Sequence, residues 1–149
     1  MKKNKIRLFI VAIAIIASAF IGGHEYFNPN PDMSTLNASF QNKSKTLLME
    51  LSTNDSAATK KYLGKVMVIK GTIRAIEKSA QDLFTVVLGD PGTASSVRCA
   101  IDSKHALELA SLKEGSLAVV KGVFTGYNKD ETGLLGSDAQ LNRCIVMNK

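Results

Sequence analysis

A run rich in β-branched residues lies between Tyr62 and Ile76, reading YLGKVMVIKGTIRAI. It predicts a long, curling strand over Lys65–Ile76. Gly115–Phe124, GSLAVVKGVF, echoes it. In each stretch a glycine opens the run and a Lys-Gly pair interrupts it, at Lys70-Gly71 and Lys121-Gly122. A glycine in mid-strand marks a bulge or bend, and Gly71 is read so here. Further strands are predicted at Leu83–Leu88, Ser96–Ile101, Ser116–Thr125 and Ala139–Met147. In Ser96–Ile101, Val97, Cys99 and Ile101 fall on one face and Arg98 and Ala100 on the other. Gly89-Asp90-Pro91-Gly92 is a turn signal, and Tyr127–Asp138 reads as a polar, glycine-bearing loop.

Helical spacing appears in three places. Ser39–Ser52 carries Phe40, Leu47, Leu48 and Leu51 on one side. Ala57–Leu63 follows a start signal at Asn54-Asp55-Ser56, with Asp55 or Ser56 as cap, and is closed by Gly64. Ser103 caps a helix to Leu112 whose apolar side is Ala106, Leu107, Leu109 and Ala110. The order is three strands, a helix and two strands, with a bent first strand. This mainly β order is that of the five-stranded OB-fold, a partly open Greek-key barrel. A small SH3-like barrel, the rival arrangement, normally lacks the helix.

The first forty residues have another character. Lys2, Lys3, Lys5 and Arg7 precede an uncharged apolar run, Leu8–Ile21, followed by Gly22 and Gly23. The run, with Leu8, Ile15 and Ile21 along it, lies between a signal-peptide core and a short transmembrane helix in length. Ala17-Ser18-Ala19 fits signal cleavage, whereas Phe20 and Ile21 continue the run past it, as an uncleaved anchor would. Both readings stand. No cysteine follows the run, which excludes a lipid-attachment box. The basic residues before the run put the N-terminus in the cytoplasm and the rest outside. Asn28-Pro29-Asn30-Pro31-Asp32 is a stiff extended spacer. The expected organisation is a leader over 1–23, a tether over 24–38 and an OB-fold domain with a helical lead-in over 39–149.

Charge enters here. The net charge of the 149 residues is +6. The basic tip before the apolar run supplies most of it, so the remainder is nearly balanced. A strong polyanion binder concentrates more charge than that.

With Tyr62-Leu63-Gly64-Lys65, Gly71, Val97, Cys99, Leu112, Gly115, Gly122, Gly126, Leu141 and Cys144, the sequence resembles the tRNA_anti-like family of OB-fold proteins of bacterial envelopes. The likeness spans Leu47 to the C-terminus. It implies an OB-fold and likeness to anticodon-binding domains; its residues are mostly structural.

Cys99 and Cys144 are the two cysteines. In an OB-fold they lie on neighbouring strands, and an even count outside the cytoplasm favours a disulfide. Two separate buried thiols are the alternative. No metal site is expected, since His105 lies on the connecting helix and His24 beside the apolar run. No nucleophile elbow, phosphate loop, His-Glu-x-x-His or Cys-x-x-Cys occurs, so neither catalysis nor a cofactor is expected. Asp130 and Glu131 read as a solvated loop, or as an acid patch able to take a weak cation.

OB-folds bind ligands on their second and third strands and the flanking loops. The candidate ligand face is therefore Phe84, Arg98, Tyr127 and Lys129. Few aromatics are available for base stacking. The expectation is a non-catalytic envelope module, held at the membrane by its N-terminal helix, that binds a protein, peptide or glycan. Nucleic-acid binding is the alternative.

Overall fold

The computed structural model describes residues 31–79, 81 and 83–147. The apolar run with Leu8, Ile15 and Ile21 lies outside the described residues. Among the described residues, no helix is long and apolar enough to cross a membrane. The barrel belongs to a compact unit, Met33–Lys149.

The strands are β1 (Phe40–Lys43), β2 (Val66–Lys78), β3 (Phe84–Leu88), β4 (Ser96–Ile101), β5 (Leu117–Asn128) and β6 (Asp138–Val146). Helices α1 (Ser44–Thr53) and α2 (Asp55–Tyr62) precede β2, and a 3-10 helix, Ser103–Ser111, joins β4 to β5. The strand order is β1-β2-β3-β4-β6-β5. A further pairing of β2 with β5 closes the barrel and leaves β1 outside it. The β4–β6 pair is parallel and the other barrel pairs are antiparallel. This is the expected OB-fold, with a sixth strand added.

Strand β2 serves both halves of the barrel. Val66–Thr72 pair with β5, and Ile73–Lys78 pair with β3. The irregularity that permits the handover falls between Ile73 and Ala75, not at Gly71. Gly71 faces Ala118 in unbroken register. Its missing side chain serves another purpose: a Cβ there would stand 2.6 Å from Ser44 Oγ.

The lead-in differs from the expected single helix over Ser39–Ser52. Residues 40–43 run parallel to β2, Phe40 opposite Met67 through Lys43 opposite Lys70. Ser39 N–H donates to Val66 O at 2.8 Å. Phe40 meets Tyr62 edge-on, with ring centroids 4.9 Å apart. Strand pairing here overrides helical spacing. From Ser44 onward the helix holds, and Leu47 and Leu51 are fully buried. Helix α2 is capped by Asn54, whose side chain accepts from Ala57 N–H at 3.2 Å. Gly64, at φ 72°, ends the lead-in.

The helix after β4 is 3-10, capped by Asp102, whose carboxylate accepts from Lys104 N–H, rather than by Ser103. Three residues per turn put i and i+3 on one side. Ala106, Leu109 and Leu112 therefore share the inner side, with Leu109 buried, while Leu107 is 90% exposed. The apolar side expected from α-helical spacing was drawn on the wrong period.

The barrel interior is filled by Met67, Ile69, Ile73, Val86, Leu88, Val97, Phe124 and Leu141, all essentially inaccessible. Phe124 stands 6.0 Å from Tyr62, ring to ring.

Candidate binding surfaces

The outer face of β3, β4 and β6 follows from strand alternation. Arg98 and Ala100 point outward from β4, and register sets Thr85 beside Ala100 and Gln140 beside Arg98. With Leu141 and Asn142 they line a polar hollow of about 230 Å³. Its hydrogen-bonding groups are one hydroxyl, two carboxamides and one guanidinium. Arg98 is also engaged across the sheet in an ion pair with Glu77 Oε2.

The four residues of the expected ligand face do not meet there. Arg98 lines the hollow. Phe84 lies one position off Thr85 along β3, so it faces the other way. It packs against the core, with Lys78 Nζ 5.7 Å from its ring centroid. Tyr127 is half-buried at the far end of β5 and lines a different cavity, and Lys129 is exposed in the β5–β6 loop. The pair Gln140 and Asn142, two residues apart on β6, was missed. Alternating carboxamides in DAQLNRCIV are the sequence signal that points to them.

Tyr127 belongs to a groove of about 360 Å³ between α1 and the β3–β4 loop. Leu48 and Met49 of α1 form its apolar side; Lys45 and Asp90, 4.0 Å apart, bridge its edge. The β3–β4 loop that forms the opposite wall is held by Arg74, whose Nη1 donates to Thr93 O at 2.7 Å and Ala94 O at 3.2 Å.

Asp130 is engaged within its own loop. Its carboxylate accepts from the backbone N–H of Thr132, Leu135 and Gly136 and from the Thr132 hydroxyl. Those bonds, the Thr132 hydroxyl first, hold its pKa at about 2. The loop carries Leu134 and Leu135 outward, both more than four-fifths exposed. Among the described residues there is no group of three or more His, Cys, Asp or Glu side chains fit to hold a metal ion.

Cys99 and Cys144 both point into the barrel and are buried free thiols. Register places Cys144 opposite Ile101 and Cys99 opposite Leu141, with an irregularity between the two pairings. Burial, and then a hydrogen bond with Cys99, push the Cys144 thiol pKa well above its ordinary value. A thiol so held is a poor nucleophile.

Closed barrel, capping 3-10 helix and parallel β4–β6 pair together define an OB-fold domain. The chain belongs to the tRNA_anti-like family, whose model matches residues 1–137. A crystal structure of a Klebsiella pneumoniae lipoprotein, provisionally named as nucleic-acid-binding, is similar over 81% of this chain and 100% of its own, at 23% identity and TM-score 0.57. The asparaginyl-tRNA synthetase of Entamoeba histolytica in complex with asparaginyl-adenylate matches 58% of this chain and 21% of its own, at 20% identity and TM-score 0.40. An OBody bound to hen egg-white lysozyme matches 60% and 87%, at 16% identity and TM-score 0.42. No curated protein matches the sequence.

Proposed function

We propose that this chain is a non-catalytic OB-fold binding module of the bacterial cell envelope, anchored by Leu8–Ile21, whose ligand is a hydroxyl- or amide-rich envelope component, glycan or peptide. The observation that carries this reading is the chemistry of the β3–β4–β6 hollow. Thr85, Gln140 and Asn142 offer paired donors and acceptors, as sugar hydroxyls and peptide groups require. The features a single strand needs are otherwise engaged: Arg98 is paired with Glu77, and Phe84 faces the core beneath Lys78. The similar Klebsiella pneumoniae protein is a lipoprotein, which supports an envelope setting. The present chain has no cysteine before Cys99, so attachment here falls to the apolar run.

Nucleic-acid binding is the second reading. It draws on the family's likeness to anticodon-binding domains and on the name of the Klebsiella pneumoniae protein. The two readings separate by titration of the full-length protein in non-ionic detergent. Peptidoglycan fragments and cell-wall peptides are compared with single-stranded oligonucleotides across a salt series. Binding of fragments that is lost in Gln140→Ala/Asn142→Ala and insensitive to salt supports the first. Oligonucleotide binding that falls steeply with salt replaces it with the second.

A further inference from the structure

We infer that the N-terminus of α1 is an oxyanion site built for a single phosphoryl group, separate from the β3–β4–β6 hollow. A cavity of about 350 Å³ opens there, lined among others by Lys43, Ser44, Lys45, Lys70, Gly71 and Asp90. Three of these side chains are cationic and one is anionic, so the lining carries a positive excess. Asp90 is matched by Lys45 at 4.0 Å, which leaves Lys43 and Lys70 as the excess.

The backbone points to the same place. Helix α1 has ten residues, no side-chain cap at Lys43 and no acid in its first turn. Its leading N–H groups thus lack the carboxylate or hydroxyl acceptor that usually satisfies them. An anion at such an end gains both hydrogen bonds and the favourable end of the helix dipole.

Two independent observations call for a ligand. Ser44 is only 3% exposed and lines the cavity, and among the described residues its hydroxyl has no hydrogen-bond partner. No fully enclosed side-chain polar atom among the described residues lacks a partner; the Ser44 hydroxyl meets this rule by opening to the cavity. Gly71 makes that placement possible, since a side chain there would collide with Ser44. Lys43 and Lys70 also stand opposite each other in register on β1 and β2. Like charges so placed repel, and a bound dianion between them removes the repulsion. A phosphoryl group fits this set: oxygens for the ammonium groups, the Ser44 hydroxyl and the free N–H groups.

The test uses the full chain in non-ionic detergent, titrated calorimetrically with inorganic phosphate and with glycerol 1-phosphate against matched chloride. Both are expected to bind, and Lys43→Gln/Lys70→Gln to weaken binding about tenfold or more. Ser44→Ala tests the buried hydroxyl and is expected to weaken binding several-fold with the fold intact by circular dichroism. Tighter binding of glycerol 1-phosphate assigns the source to a lipid or polymer headgroup; equal binding assigns it to free phosphate. Either result supports the site. Absence of binding above chloride, or equal affinity in wild type and the double-lysine variant, overturns it. So does an oligonucleotide that needs these lysines while neither small phosphate binds. Loss of hollow binding in the Gln140/Asn142 variant bears on the other surface and leaves this one untouched.

Discussion

Gly122 makes the space that the sulfur of Cys144 fills: a Cβ at position 122 would lie 2.4 Å from Cys144 Sγ. Asn142 O and Cys144 Cα stand close behind, at 3.2 and 3.4 Å, so retreat of the thiol alone does not free the site. Gly122→Ala is expected to destabilise the domain by about 1–3 kcal/mol, as overpacking does. Adding Cys144→Ala should recover part of that loss. A urea midpoint series on the four members of this cycle measures the coupling. Strictly additive losses would show that the two positions do not compete for the same space.

The other Lys-Gly pair, Lys70-Gly71, obeys the same logic with a different guest. Gly71→Ala would drive a methyl group against Ser44 Oγ and Cβ, at 2.6 and 3.0 Å, and against Leu88 Cβ at 3.2 Å. It should also cost about 1–3 kcal/mol, and it should displace α1 from β2. Hydrogen exchange of the α1 amides reads that displacement; unchanged protection would mean that α1 does not depend on the glycine.

These two glycines show what sequence could deliver. The repeated run Gly64–Gly71 and Gly115–Gly122 announced two related strands, and β2 and β5 do pair with each other. That the Cys99 and Cys144 strands run parallel is read from the structure; that they are neighbours followed from the OB-fold reading, and the shared face of Val97, Cys99 and Ile101 from period-two alternation. The purpose of the glycines did not, because Ser44 and Cys144 reach them from distant segments. Strand β1 was hidden for the same reason: Phe40–Lys43 becomes a strand only against β2. Of the residues expected on the ligand face, Arg98 lines the β3–β4–β6 hollow. Phe84 turns to the core and Tyr127 lines another cavity, because membership of a strand or loop does not by itself say which way a ring turns.

Tyr62 ties the lead-in to the barrel. Its hydroxyl donates to Glu50 Oε2 at 2.6 Å and accepts from Asn42 Nδ2 at 3.1 Å, while its ring touches Phe40 and Phe124. Lys61 Nζ donates to the other Glu50 oxygen at 2.7 Å. Tyr62→Phe keeps the packing and removes a hydrogen bond to a carboxylate, for an expected loss of about 1.5–3 kcal/mol. Lys61→Gln, at an exposed pair, should cost less than about 1 kcal/mol. Thermal melts of the two variants test the order; the reverse order would place the energy in the ion pair.

Asp130 governs the acid limb of the β5–β6 loop. Its pKa is lowered to about 2 in the folded chain, against an ordinary carboxylate value near 4 in the unfolded chain. A depressed pKa stabilises above the unfolded value and loses that contribution as pH falls through the folded one. Glu50 adds the same sign, since the Lys61 and then the Tyr62 hydrogen bonds lower its pKa. The loop amides of Thr132, Leu135 and Gly136 are therefore expected to lose protection between about pH 4 and pH 2. Asp130→Asn should loosen them already at neutral pH. If the variant's exchange matched wild type at pH 7, the carboxylate would not be what holds the loop.

The cysteine pair ties the chemistry of the core to the compartment. Cys99 and Cys144 are both buried inside the barrel as free thiols, and burial, then Cys99, hold the Cys144 thiol protonated. Disulfide formation needs a thiolate that attacks a disulfide-bearing oxidant, followed by displacement by the second thiol. The pair then loses two protons and two electrons, and the oxidant leaves as two thiols. Inside the closed barrel both sulfurs are buried, and an oxidant has no approach route to them. Oxidation thus belongs to the open chain, before β6 seals against β4. Protein folded outside the cytoplasm is expected to carry the Cys99–Cys144 bond, and the closed loop should add up to about 4 kcal/mol of stability. Protein folded in a reducing cytoplasm should hold two thiols that resist alkylation until it is unfolded. Alkylation in urea followed by mass spectrometry distinguishes them: no adduct on exported protein means the bond has formed. Two adducts on exported protein would mean that folding outruns oxidation, and that packing around Gly122 alone holds Cys144 in place.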